Sequence, residues 1–474
     1  MVLLLIGLLL RLIVMVVYTP ADFNYYGGDA VRFMRLPASG VTGLFEDAAM
    51  PAGYPAFLGA IREIWAWLPL TILIQHLIGL SAAVALYLAV RRTGSPRWAA
   101  LLPAILIALS GDQIFLEHAI LTEALWIPLL AFGLFAAAAS LSSARPRRWL
   151  LASGAILMAS ALVRNVSLVA PVLVAIWVWF ALAKAWRTKF LNATCVIAPA
   201  AVFLVIYLVI ASLGAGGRNG LVEDGGLALY GRVAQFADCS KFTPPKGTKV
   251  LCVTTPEGER EGPFYWDFSP ESPLRKKFHF DINNQHQQDQ IAEFARQAIL
   301  HQPMAYARAV LTDFIRIFAP EVGEPRPEDG APPRYMSFGS NVGVNQAWSP
   351  REMAEIVKEG YSGVGSGEAS HGVRVALGSY QSVFRVDGLL LLLLIVLNVV
   401  AVVWARGRER AGAILFFLVG AYLIVMPPAT FSYDARYAVP PAEIFGAGAA
   451  IGLVVLSRWF SGRAGIGEPL DDHQ

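Results

Sequence analysis

Apolar runs of the length a helix needs to cross a hydrocarbon core, about 20 residues for roughly 30 Å, recur ten times in this chain. They fall near 1–19, 69–90, 98–117, 119–141, 149–164, 166–183, 191–212, 388–405, 411–430 and 441–460. Backbone in lipid must satisfy its own hydrogen bonds, which leaves helices as the form such runs take. The chain therefore reads as an all-α polytopic membrane protein with about ten transmembrane helices. Composition agrees: 56% of residues are hydrophobic and 15% charged, which all but excludes the water-soluble classes. A formal charge of +3, from 38 Lys and Arg against 35 Asp and Glu, is too small for a nucleic-acid footprint.

Basic residues punctuate the runs at Arg91, Arg92 and Arg97, at Arg145, Arg147 and Arg148, at Lys184, Arg187 and Lys189, at Arg406, Arg408 and Arg410, and at Arg458 and Arg463. All five clusters follow even-numbered runs. The positive-inside rule puts them in the cytoplasm with both termini, and sends residues 20–68, 213–387 and 431–440 outside. Met1–Tyr18 then serves as a span and not as a cleaved signal peptide. At Leu162-Val163-Arg164-Asn165 a charge falls at membrane depth between two short runs, so a broken or re-entrant hairpin is expected there.

Three parts follow: an N-terminal transmembrane module 1–212 with its first outer loop 20–68, an extracytoplasmic region 213–387, and C-terminal helices 388–474. The middle region carries 18 basic and 21 acidic residues, more than half of all charges, and is rich in Gly and Pro, as in Pro320–Pro333. It is expected to be mixed and loop-rich. Within it, Gln290–Ala319 reads as two helices broken at Pro303, with Tyr306, Val310, Phe314 and Ile317 on one face. That face suits a helix lying on the membrane or capping the bundle, or an ordinary core stripe. Cys239 and Cys252 flank a Pro- and Gly-containing stretch that can double back, and a disulfide between them is predicted, worth roughly 3 kcal/mol on the chain-entropy model. Cys195, inside a span, should stay reduced.

The first outer loop contains Tyr25-Tyr26-Gly27-Gly28-Asp29-Ala30 and then Met50-Pro51-Ala52-Gly53-Tyr54-Pro55. A carboxylate beside glycines can act as a base on a hydroxyl that approaches the backbone closely; the same dipeptide also marks a turn or a helix N-cap. Tyr54 either stacks on a sugar or packs under the loop. Glu117, His118 and Glu123 surround the turn between the third and fourth runs and could form, with Asp29, a cation or proton-relay site. Their spacing is not a metal motif, and a divalent cation stays open as an alternative. Asp112 suits a cap.

A first span followed by a loop with Gly-Asp and a Pro-x-Gly-Tyr-Pro box resembles the GT-C superfamily, integral-membrane glycosyltransferases that use polyprenyl-phosphate sugars, in its protein mannosyltransferase and aminoarabinose transferase-like branches. Leu121-Thr122-Glu123-Ala124-Leu125, Leu162-Val163-Arg164 and Asp434-Ala435-Arg436-Tyr437-Ala438-Val439-Pro440 resemble further motifs of that superfamily, in order. Where the protein O-mannosyltransferase branch places two acids side by side, Asp29 is followed by Ala30, which argues against protein O-mannosylation.

The resemblance implies an inverting transfer from a lipid-phosphate donor to a cell-envelope lipid, glycan or protein, on the outer face of the cell membrane. Asp29 and Glu123 would be catalytic, Asp29 as the base. Arg164 and Arg436 would bind the donor phosphate, since a guanidinium fork matches phosphate oxygens. Tyr54, Glu117, His118 and Tyr437 would bind substrate. Each Arg could instead pair with Glu123, Glu117 or Asp434. The competing readings are a transporter or flippase for a lipid-linked precursor and a non-catalytic assembly subunit.

Overall fold

The computed structural model describes residues 1–18, 30, 32–34, 42–45, 47, 49–182, 185–213, 220–222, 225–282, 284–318, 338, 360–363, 369–432 and 434–462. Each of the ten apolar runs is helical. Helices α1 (Val2–Val17), α2 (Gly53–Ile64), α3 (Leu68–Arg92), α4 (Arg97–Leu109), α5 (Gly111–His118), α6 (Glu123–Ala139), α7 (Pro146–Val163), α8 (Ala170–Ala181) and α9 (Trp186–Leu213) form the N-terminal part. Among the described residues there is no strand, only an isolated bridge between Trp67 and Ser362.

Ten complete crossings are more than the helix lengths support. Among the described residues, five stretches are long and apolar enough to span alone: Leu68–Arg92, Trp186–Leu213, His371–Trp404, Gly407–Thr430 and Arg436–Phe460. A sixth arises if α4 and α5, bent by 49°, are one span. The bend sits at Ser110, whose hydroxyl caps α5 by accepting from the Gln113 N–H at 3.2 Å. The break expected around Arg164 is present: α7 stops at Val163, Arg164 is extended, and a 3-10 turn over Asn165–Val169 leads into α8.

The second part begins with α10 (Gly225–Ala234), α11 (Gln285–His301) and α12 (Pro303–Arg316), joined by short helical turns. The region expected to be loop-rich thus has its own helical core, built on Tyr230, Phe236, Phe242, Trp266, Ile291 and Phe294. Cys239 and Cys252 are disulfide-bonded as predicted, with their Cα atoms 5.9 Å apart, and Cys195 is free. The interruption at Pro303 also falls where expected, because proline cannot continue the α11 hydrogen-bond ladder.

The chain ends in α13 (His371–Val383), α14 (Gly388–Trp404), α15 (Gly407–Thr430) and α16 (Val439–Phe460). Alternating small residues let α14 and α16 touch backbone to backbone: an added Cβ at Gly452 would overlap the Leu397 carbonyl. Close approach of this kind is what holds helices together where lipid removes the hydrophobic drive. The core cluster links α3, α4, α6, α7, α8, α15 and α16 into one bundle.

Candidate functional site

Thr122 and Glu123 start α6, Arg164 sits at the break after α7, and Arg436 lies in the 3-10 turn Ala435–Ala438 just before α16. The fold brings these four side chains together. Arg164 Nη1 donates to Thr122 Oγ1 at 2.9 Å and to Glu123 Oε1. Arg436 Nε stands 3.7 Å from the same Glu123 oxygen and 3.6 Å from Asp434 Oδ2. Thr122 Oγ1 donates to Glu123 Oε2 at 3.1 Å. Glu123 is buried, whereas the Arg164 and Arg436 side chains keep 16% and 11% exposure.

The Arg164 guanidinium lies against two rings, with its carbon 5.2 Å from the centroids of both Trp126 and Tyr437. A guanidinium carries five N–H groups. Nη1 uses two of them on Thr122 and Glu123, and among the described residues the N–H groups of Nε and Nη2 meet no acceptor. A fixed cation with three unused donors, part exposed, is suited to an oxyanion.

Local sequence explains why Arg164 stays in place. The Trp126 indole N–H donates to Ser167 Oγ, which Ser160 also meets at 3.0 Å, and Tyr422 on α15 donates to the Val166 carbonyl at 2.9 Å. The Pro-x-Gly-Tyr-Pro box packs on the same break. Gly53 abuts Leu162, where an added Cβ would overlap the Leu162 carbonyl. Tyr54 is fully buried and donates its O–H to Gln75 Oε1 at 2.6 Å. These contacts are those of the second of the two roles read for Tyr54, packing under the loop.

Glu117 and His118 are likewise not brought to Glu123. They belong to a second, sealed network that sequence reasoning missed, because its other members sit in distant helices. Arg11 of α1 donates Nε and Nη2 to Glu117 at 2.7 and 2.8 Å, and its remaining N–H groups to the carbonyls of Gly7, Ile107 and Ala108. His76 Nδ1 lies 3.0 Å from Glu117 Oε2, its Nε2 lies 3.2 Å from His118 Nδ1, and His118 Nε2 lies 2.9 Å from the Tyr18 carbonyl. Gly79 leaves the room that the Glu117 carboxylate fills. Arg11, Glu117, His76 and His118 are all buried, and the network ties α1, α3 and α5 together. A charge inside the first apolar run was the available signal for Arg11.

Asp29 lies outside the described residues. Asp47, further along the same loop, is engaged: Arg32 donates to both of its oxygens at 2.7 and 2.6 Å, and Asp47 accepts the Ala49 N–H. Asp112 stands in the first turn of α5, where it accepts from Gln381 at 2.7 Å and pairs with Arg385 at 3.1 Å. Among the described residues no group of three or more His, Cys, Asp or Glu is arranged to hold a metal ion.

No family model and no curated protein matches this chain. Solved structures do. The archaeal oligosaccharyltransferase AglB from Archaeoglobus fulgidus, in complex with an inhibitory peptide and a dolichol-phosphate, is 13% identical with a TM-score of 0.48, over 99% of this chain and 52% of that one. The same archaeal enzyme with Zn and sulfate is 12% identical with a TM-score of 0.48, over 98% and 50%. The S. cerevisiae protein O-mannosyltransferase Pmt1-Pmt2 complex bound to the sugar donor is 17% identical with a TM-score of 0.36, over 52% and 37%. The chain thus spans about half the length, or less, of the structures it matches.

Proposed function

We propose that the protein is a GT-C glycosyltransferase that moves a sugar from a polyprenyl-phosphate donor to a cell-envelope lipid, glycan or protein, with inversion, on the extracytoplasmic face. The observation that carries this reading is the Arg164 guanidinium, set against the Trp126 and Tyr437 rings beside Glu123 and Arg436, with three N–H groups that meet no acceptor among the described residues. Orientation rests on the five basic clusters and on the Cys239–Cys252 disulfide, which belongs in an oxidising compartment.

In this reading the donor phosphate meets Arg164 and Arg436. Glu123 and Thr122 aim Arg164, and Tyr437 stacks on both guanidiniums. The acceptor hydroxyl attacks the anomeric carbon as its bond to the phosphate oxygen breaks. The electron pair leaves on phosphate, where the guanidiniums stabilise it, and Asp29 takes the hydroxyl proton. A single displacement inverts the anomeric carbon. Residues 1–212 supply the loop, Glu123 and Arg164, and residues 388–474 supply Arg436.

Incubating the purified protein with a panel of polyprenyl-phosphate sugars and envelope acceptors tests the proposal. The expected result is release of polyprenyl phosphate with one donor. Movement of the lipid across the bilayer with no sugar bond broken would replace the transferase by a transporter.

A further inference from the structure

Helix α12 has three distinct faces. At about 100° per residue, Ala305, Ala309 and Asp313 share one of them. Ala305 and Ala309 pack on the core of the α10–α11 unit, and Asp313 pairs with the buried Arg232 of α10. Tyr306, Phe314 and Ile317 form the next face. Tyr306 donates its O–H to the Ala429 carbonyl at 2.8 Å, while Phe314 and Ile317 pack among Leu391, Leu394, Ile424 and Phe445 of the bundle. The third face, Met304, Arg308, Leu311 and Ile315, touches neither. Met304, Leu311 and Ile315 are 78%, 56% and 60% exposed, and Arg308 is exposed between them.

Two contacts fix the direction of the helix. Tyr306 meets the last turn of α15 at Ala429, and just past the C-terminus of α12 the backbone of Phe318 abuts Gly388, the first residue of α14. Because α14 and α15 form an antiparallel hairpin, both contacts lie at one end of the bundle. They are separated by twelve residues, roughly 18 Å if helical throughout. The axis of α12 therefore runs along the rim. With the α10–α11 unit on one side and the bundle on the next, the third face turns away from that unit, toward the membrane.

Character changes at the same point. The exposed residues of α11 include His286, Asp289 and Arg296, whereas from Leu300 onward the exposed large side chains are mostly apolar, Leu300, Met304, Leu311 and Ile315, with His301, Arg308 and Thr312 as the polar members. The apolar surface continues into that of α14 at Leu389, Leu392, Leu393 and Val396, inside a candidate span.

We infer that α12 is an interfacial helix: Met304, Leu311 and Ile315 sit among the lipid acyl chains at the rim, and Arg308 reaches lipid phosphates along its own apolar stem. The occupant of this face is the lipid monolayer. The helix thereby ties the α10–α11 unit to the bilayer as well as to the bundle, and this holds whatever reaction the protein performs.

Spin labels on the full-length protein in phosphatidylethanolamine–phosphatidylglycerol nanodiscs test it. In a Cys195→Ser background with the native disulfide intact, single labels go on Leu311→Cys and Ile315→Cys, with Asp289→Cys as the water reference and Leu393→Cys as the lipid reference. Labels at 311 and 315 should relax with oxygen as the 393 label does, several-fold more than at 289, and be shielded from a water-soluble nickel chelate. Nickel access matching that at 289 would overturn the inference, and so would shielding from both reagents, which would mean that protein covers the face. Met304→Cys gives the same reading if either variant fails to fold.

Discussion

Two clusters, each built on an arginine–glutamate pair, flank the turn between α5 and α6, and they differ most usefully in hydrogen-bond capacity. Around Glu117, Arg11 is fully buried and all five of its N–H groups have acceptors. Around Glu123, Arg164 has three N–H groups that meet no acceptor among the described residues, and 16% exposure. Residue type alone would rank the two clusters equally as sites. Unused donors with access to the outside are what separate a position that can take up an anion from one that locks helices together.

The sharpest way to break this contrast is to remove each arginine. Arg11→Ala leaves Glu117 buried without its counter-charge, which should destabilise by about 3–5 kcal/mol. Thermal unfolding in detergent should show that loss, while turnover per folded molecule stays near normal. Arg164→Ala should do the reverse, slowing sugar transfer by about a hundredfold, or roughly 2.7 kcal/mol of barrier, and weakening donor binding with little change in melting temperature. If both variants lost stability alike with no separate loss of rate, the two clusters would be of one kind.

Asp29→Asn should also turn over about a hundredfold more slowly but keep donor affinity, which separates the base from the phosphate ligands. Near-normal turnover of the folded variant would remove Asp29 from the chemistry. A smaller effect is expected at Tyr54. Tyr54→Phe deletes the donor to Gln75 and should cost about 1 kcal/mol of stability with KM and kcat unchanged; a raised KM would return Tyr54 to substrate contact.

The smallest effect lies in the α10–α11 unit. The Ser240 hydroxyl and backbone N–H, with Lys241, hold the Asp238 carboxyl down at about 2. A carboxylate depressed by folding contributes its stability above its unfolded value near 3.8 and loses it as pH falls from there toward about 2. Melting temperature should accordingly be insensitive to this group from pH 5 to 7, with a slight decline on acidification below about 4 that Asp238→Asn abolishes.

Local signals in the sequence were legible where one segment decides its own fate. The Arg164 break shows as a charge between two short apolar runs, the start of α6 shows at Thr122-Glu123, Pro303 divides α11 from α12, and the disulfide joins cysteines only 13 residues apart. Partnerships across the bundle were not legible. Arg11 and Glu117 are 106 residues apart, and nothing in either segment names the other, so Glu117 and His118 were grouped with Glu123 by nearness in sequence. The bend at Ser110 and the burial of α5 carry them to the other cluster. The lengths of the helices were less legible for a related reason: apolar content marks a run as membrane-suited, but caps and breaks decide its helical length.

The contact of Gly53 with Leu162 has a mechanical consequence. A Cβ added at Gly53 would overlap a carbonyl two residues before Arg164, so α2 can sit this close to the Arg164 break only with glycine there. Gly53→Ala would push the start of α2 and the residues that lead into Arg164 apart, which makes this one glycine a spacer between two segments far apart in sequence.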